Sequence, residues 1–449
     1  TILDADGQRL TGQIQNTDLE QIEAGGVAQT DLMRRSVRYE LDYEMKVPQP
    51  LFLTFMQKFG GDLAVLPALM DLHVLQDSVF AEKSTQIVHG RPHTVQLDWK
   101  EKPNGESMTF ALLRAKYAEQ LRDRLGISSY TALFSFLYIT RFEVRHEILI
   151  PLLTLEKWMP IARKHPDFLE IEEQVAAQEA IETFFKDRSF VTINQQLVEA
   201  KLSRLNFFGL DINDFALNAE PRRVSIHQAR VGVILTFPAI GTPENVSVKW
   251  NTFNEYAPYV QSVVLIGNET PREHRFESLV TSYDWSGDLK GPKVESVRVE
   301  SAQLSQQHRL DILQHVLTNI YRAFDFRSDE EVYDALASSV DGKLLREIYL
   351  RIKRTLLMAE QGGAVSHVTA VEMISATPFT TGTAATFDTI WRVTGVTEHW
   401  GHLHQRVSEY RALMTLGRHE GNWKLEKFQL LEEKRIQFNT SIRGYDSSK

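Results

Sequence analysis

The chain has no cysteine among its 449 residues. That excludes disulfide staples, thiolate metal sites and cysteine nucleophiles. A cysteine-free chain folds in either redox compartment and suits an oxidising one slightly better. A basic excess is also missing. Lys and Arg number 50 against 59 Asp and Glu, a net charge of −9, so there is no electrostatic footprint for nucleic acid and little attraction to anionic lipid. Long apolar runs are absent too. "YTALFSFLYITRF" at 130–142 ends in charge before the roughly 18 residues a membrane-spanning helix needs. Nor is there a P-loop, a Gly-x-Gly-x-x-Gly, a Gly-x-Ser-x-Gly or a His-Glu-x-x-His, the motifs that would announce nucleotide, hydrolase or zinc-protease chemistry. The first residue is Thr1 rather than Met, as in a mature or trimmed chain. A removed signal peptide would account for this, and with the missing cysteines it points to an extracytoplasmic, periplasmic setting.

What is present is ordinary globular composition, 43% hydrophobic and 24% charged. The length suggests roughly two to four domains. Residues 1–35 are polar and aperiodic, an arm or an extended segment lying on something else. "VRYELDYEM" (37–45) alternates cleanly and predicts a half-buried strand. "LAVLPALMDLHVL" (63–75) has helical spacing, and a helix is also expected over about 107–125. "FEVRHEILIPL" (142–152) predicts a strand, and 155–187 a charged helical stretch. From 190 to 300 short strands separated by turn formers predict an antiparallel sandwich. Residues 36–290 then form one β-rich, sandwich-like unit with helical insertions, or split near 141.

"SGDLKGPKVESVRVES" opens a linker over 291–305, after which helices precede strands. Three helices are expected at 308–326, after Ser328, and from 341 to about 360; Ser328 and Glu331 form a capping box. Four strands follow at 364–374, 384–397, 402–417 and 422–436, with glycine-marked turns at "HWGH" and "HEGNW". The fold class expected is α+β, with a C-terminal α+β domain at 306–438 and a tail at 439–449.

The hairpin "GVTEHWGHLHQRVSEYRALM" carries His399, His402 and His404 within six residues. Strand alternation puts His402, His404, Arg406 and Tyr410 on one face. A turn at Gly401 can fold His399 toward them, giving the donor set of a Zn or Cu site. The alternative is structural: Trp400 clamps the hairpin, and the imidazoles bond to backbone and Glu398. In "RHEILI" His146 and Glu147 fall on opposite strand faces and cannot share a ligand. The aromatics of "LNFFGLDINDF", Phe207, Phe208 and Phe215, suit either an interface anchor or packing between subdomains.

Residues 306–438, above all "WRVTGVTEHWGHLHQRVSEYRALMTL" and "GNWKLEKFQLLEEKRI", resemble the NTF2-like (SnoaL-like) cone fold. In that superfamily the concave side serves as enzyme pocket, ligand site or dimer surface, so fold alone does not decide function. The resemblance implies a pocket in which His404 would be general base, Tyr410 an oxyanion donor and Arg406 an anchor for an anion, with Asp388 as a distant orienter. It also implies that the open sheet face, with Ile390, Val396, Val407 and Leu413, meets another chain or the N-terminal unit. The middle region, "EVRHEILIPLLTLEKW" to "ENVSVKWNTFNEYAPYVQSVVL", is similar to the extracytoplasmic β head of HupE/UreJ-like membrane proteins. That implies association with a membrane complex. Together these features predict a non-enzymatic binding or assembly protein, an accessory subunit with a protein partner or a second copy of itself and a possible metal-handling role. The alternative is a small-ligand binder or enzyme built around His404.

Overall fold

The structure is a computed structural model. It describes residues 1–19, 37–59, 69–76, 79–97, 99, 133–210, 214, 219–267, 269–289, 305–326, 328–362, 365–380, 385–400, 402–419 and 421–442. The expected helix at 107–125, the linker at 291–304, Phe215 and the turn glycine Gly401 lie outside these. Among the described residues strand outweighs helix, 51% to 20%, and the fold is α+β with several separate sheets.

A six-stranded sheet runs in the order Lys201–Phe208, Arg230–Pro238, Glu143–Pro151, Phe134–Ile139, Tyr259–Ile266, Arg272–Glu277. All neighbours are antiparallel except Tyr259–Ile266 with Phe134–Ile139, which are parallel, the one departure from the expected all-antiparallel sandwich. A four-stranded sheet of Gln196–Val198, Phe190–Ile193, Asn245–Lys249 and Ser282–Ser286 lies across it. The core between them takes Val144, Ile148, Val231, Val233 and Val264 from the first sheet and Val191, Val246, Val248 and Trp285 from the second. The helix Ile171–Lys186 adds Ile181 and Phe185.

Central strands of the larger sheet are buried on both faces. Glu143–Pro151 is buried at every position but its ends. Its even-numbered residues face the sandwich core and its odd-numbered ones face a second cluster with Phe134, Phe136, Tyr138, Phe208 and Ile234. Such a strand reads as a nearly continuous apolar run, and its polar interruptions, Arg145, His146 and Glu147, are all buried.

The first residues do run as an extended segment on the rest. The Thr1 amino group donates to the Met56 carbonyl at 2.9 Å, and Ile2 and Leu3 pair with Phe55 and Thr54. Two corrections follow downstream. The described part of the stretch read as helical over 63–75 instead belongs to a strand, Leu69–Gln76, paired with Val79–Val88. The cross-strand partner overrides the local spacing, leaving Leu69 and Leu75 exposed. Val37–Tyr43 is a strand as expected, but it is not half-buried. Among the described residues it pairs only with Gly12–Leu19, in a two-stranded ribbon, and Tyr39 and Leu41 face solvent.

The C-terminal residues build their own core. Helices Gln306–Arg322, Asp329–Ala337 and Gly342–Gly362 precede an antiparallel sheet whose strands, Val365–Thr380, Ala385–His399, His402–His419 and Asn422–Ile442, pair in sequence order. Ser328 caps the second helix, accepting from the Glu331 N–H at 3.2 Å while its hydroxyl donates to the Glu331 carboxylate at 2.8 Å. Ile312, Leu313, Val316 and Leu336 pack on Phe387, Trp391, Ala412, Met414 and Leu416. The last strand continues to Ile442, past its expected end at 436, because its edge keeps pairing with His402 and Leu403. Among the described residues no helix is long and apolar enough to cross a membrane.

Candidate functional site

The hairpin that stands out in sequence joins the two cores. His399 pairs with His402 and Thr397 with His404, so the connection is the two residues Trp400 and Gly401. Trp400 has φ of 51°, the left-handed backbone that a two-residue hairpin connection requires at its first position and that costs a bulky residue roughly 1–3 kcal/mol. Trp400 is 1% exposed and sits among Phe134, Phe136, Phe208 and Leu265 on the outer face of the six-stranded sheet. Its ring meets Phe208 edge-to-face at 5.8 Å and 77°. Gly232 makes the room. A Cβ there would stand 2.7 Å from the indole and 2.4 Å from the Phe208 ring.

The polar centre of the joint is Glu147. It accepts the Trp400 backbone N–H and is gripped by the Arg145 guanidinium, whose Nε donates at 2.9 Å. Burial pushes the Glu147 carboxyl above the usual carboxylate range, against the pull of Arg145 and the Trp400 N–H. Arg145 also lies 5.0 Å from the centre of the Tyr138 ring. A pair this dry gains little net stability, because desolvation offsets attraction, but it is costly to break. Glu147 therefore fixes where the hairpin sits more than it strengthens the fold. Trp400 does not clamp its own hairpin, as the structural alternative had it. It docks against the outer face of the six-stranded sheet.

His146 points the opposite way. Its Nε2 lies 2.8 Å from Ser135 Oγ, which is 3.0 Å from Ser262 Oγ. Desolvation depresses the imidazole to about 3, so it is neutral at ordinary pH. A serine beside a histidine is the start of a nucleophilic site, but all three residues are buried in the sandwich, beside Trp250. Two surface concavities lie elsewhere. One, of 510 Å³, is lined by Asp187, Arg188, Phe190, Asn251, Thr252 and Phe253. The other, of 20 Å³, lies beside His227 and Tyr256. Neither reaches Ser135, so this chain of hydroxyls holds strands together.

On the C-terminal sheet, Arg406 and Tyr410 converge with a third group that sequence did not suggest. Arg406 pairs with Glu433 at 3.0 Å and donates to Ser408 Oγ at 2.9 Å; the Tyr410 hydroxyl donates to Glu433 at 3.5 Å. Tyr410 stacks on Trp391 at 5.3 Å, and Trp391 Nε1 donates to the Tyr321 hydroxyl at 3.4 Å. Burial raises the Tyr410 phenol and pushes Tyr321 up to about 12, so both are protonated donors. Arg406 comes already neutralised by Glu433, which weakens it as an anion anchor. Asp388 pairs outward with Arg411 at 3.0 and 2.6 Å, and that bond holds its carboxyl below the usual range. On the same outer face Ile390, Val407 and Leu413 are half-buried, whereas Val396, near the docked tip, is buried.

The side chains of His399, His402 and His404 lie outside the described residues, and the metal set with them. Among the described residues no group of three His, Asp or Glu side chains is placed to hold one ion. Sequence reasoning missed Glu147, Arg145 and Gly232 as partners of the hairpin. The one available signal was three polar residues in a row inside an apolar strand.

No protein-family model matches the sequence, and the comparison with curated proteins gives no match. Among solved structures, the intermembrane space region of the chloroplast protein ARC6 is similar over 29% of this chain and 98% of that one, at 16% identity and a TM-score of 0.23.

Proposed function

We propose that the chain is a non-enzymatic binding or assembly protein, an extracytoplasmic accessory subunit that carries an NTF2-like cone at its C-terminal end. The observation that carries this reading is the ribbon of Gly12–Leu19 and Val37–Tyr43. Ile14 stands opposite Leu41 and Thr17 opposite Tyr39, so one face collects Ile14, Tyr39 and Leu41, exposed to 62%, 57% and 41%. A two-stranded ribbon is marginal alone in water. An apolar face left open on one is the expected mark of a surface that another protein completes. The acidic residues of its second strand, Glu40 and Asp42, alternate to the other face, which disfavours anionic lipid as the cover. The missing cysteines support the extracytoplasmic setting. The order of three helices and four sequentially paired strands supports the cone, and the resemblance of the middle region supports association with a membrane complex.

The runner-up, a small-ligand site in the cone, draws on one specific observation: Trp391, Tyr410 and Tyr321 make an aromatic wall beside the Arg406–Glu433 pair. Metal handling through His399, His402 and His404 is the part that elemental analysis of natively purified protein decides, since zinc or copper at one ion per chain supports it and metal-free protein removes it. The assembly reading is tested by Tyr39→Asp with Leu41→Asp. Loss of the native complex with an unchanged melting temperature supports it. A complex that survives both changes rejects it.

A further inference from the structure

We infer that the Trp400 turn is a releasable latch: seated, it fixes the C-terminal core against the six-stranded sheet, and unseated it frees the two cores to reorient while each stays folded. The two cores draw on separate residues. Every buried member of the sandwich core lies between Leu133 and Leu289, and every one of the C-terminal core between Ile312 and Leu425. Trp400 belongs to neither. It is grouped with the outer face of the sheet, 253 residues from its hydrogen-bond partner Glu147.

Release is chemically cheap for the socket. Arg145 holds Glu147 through both Nε and Nη2 without the hairpin, so unseating breaks no ion pair and exchanges one backbone hydrogen bond for water. Release also lifts two costs of the seated state. The indole Nε1, buried with no hydrogen-bond partner among the described residues, gains water. The dry ion pair is rehydrated. Against these stands aromatic burial on Phe208 in the slot that Gly232 leaves open. Opposed contributions of this kind make a two-state element. The helix Gly342–Gly362 runs beside the strand Lys201–Phe208, so the freed core has a second contact along which to move.

The absence of cysteine makes the test direct. Spin labels at Leu279→Cys and Lys343→Cys, both on exposed side chains of opposite cores, report the distance between them by pulsed electron resonance on the full chain. The labelled parent is expected to show one dominant distance and a minor second one, which grows on warming before either core melts. Trp400→Ala, which removes the key, and Gly232→Ala, which fills the slot, should each convert the dominant population to the second with both cores still folded by circular dichroism. The inference is overturned by an unchanged distance in Trp400→Ala. A parent that keeps a single distance until it melts also overturns it, as does either variant unfolding as a whole, which would make Trp400 part of a core.

Discussion

The hairpin that ends at Trp400 is the inner pair of a four-stranded sheet, and Gly12–Leu19 with Val37–Tyr43 is a two-stranded ribbon, yet each has aromatic side chains to place. The first buries Trp400 to 1% exposure against Phe208, while the second leaves Ile14 at 62% and Tyr39 at 57%. The difference lies in what each meets. Trp400 finds a slot without a Cβ at Gly232 and a carboxylate, Glu147, for its backbone N–H. Among the described residues, nothing comparable faces the ribbon. An apolar side chain gains roughly 1.5–3 kcal/mol when fully buried. The hairpin draws on that within the chain, and the ribbon can draw on it only from outside. One element is an internal joint and the other an external surface.

The sharpest way to break the comparison is to delete one carboxylate from each element. Glu147→Ala takes the carboxylate away from the buried Arg145 guanidinium, and the expected loss is about 3–5 kcal/mol in denaturant unfolding. Glu40→Ala makes the same chemical change on the exposed ribbon, and the expected shift is within about 0.5 kcal/mol. Equal losses would mean that the joint is no drier than the ribbon.

A second contrast is in pH. His146 sits one residue from Glu147 and is held neutral, its folded value depressed to about 3 by burial. An unfolded chain binds a proton there below about pH 6.5 and the native chain does not, so stability falls as pH drops through that window. The expected slope is about 1.4 kcal/mol per pH unit. Glu147 acts in the other sense. Burial raises its folded value, so its contribution is fully present below the unfolded carboxyl pKa and is lost as pH rises through the folded one. His146→Gln keeps a hydrogen-bonding partner for Ser135 and cannot titrate. It should flatten the acid slope between pH 6.5 and 4.5, and an unchanged slope would place the sensitivity elsewhere.

Much of the local structure was legible. The Ser328 N-cap, the order of helices before strands after residue 305, and the opposite faces of His146 and Glu147 follow from spacing alone. So does the presence of the strand at 37–43, because period-two alternation needs no partner to be read. Its exposure was not legible, since alternation says which residues share a face and not what covers that face. Residues 69–76 misled because Leu69, Leu72 and Leu75 fit a helix stripe, while pairing with Val79–Val88 decided the outcome. The joint was out of reach for a different reason. The hairpin announces itself through its histidines and Trp400, but Glu147 is 253 residues away, and the importance of Gly232 lies in a side chain it does not have.

The smallest stability effect carries the most information about function. Tyr39→Asp with Leu41→Asp should leave the unfolding free energy of the isolated chain within about 0.5 kcal/mol of the parent, because both side chains are already in water. The decisive measurement is the mass of the chain in its native complex, taken by mass photometry on protein from its own source, with and without that double substitution. The account predicts an assembly heavier than one chain for the parent and a single chain for the variant. A parent that runs as a single chain, or a variant that keeps the parent's mass, would contradict it.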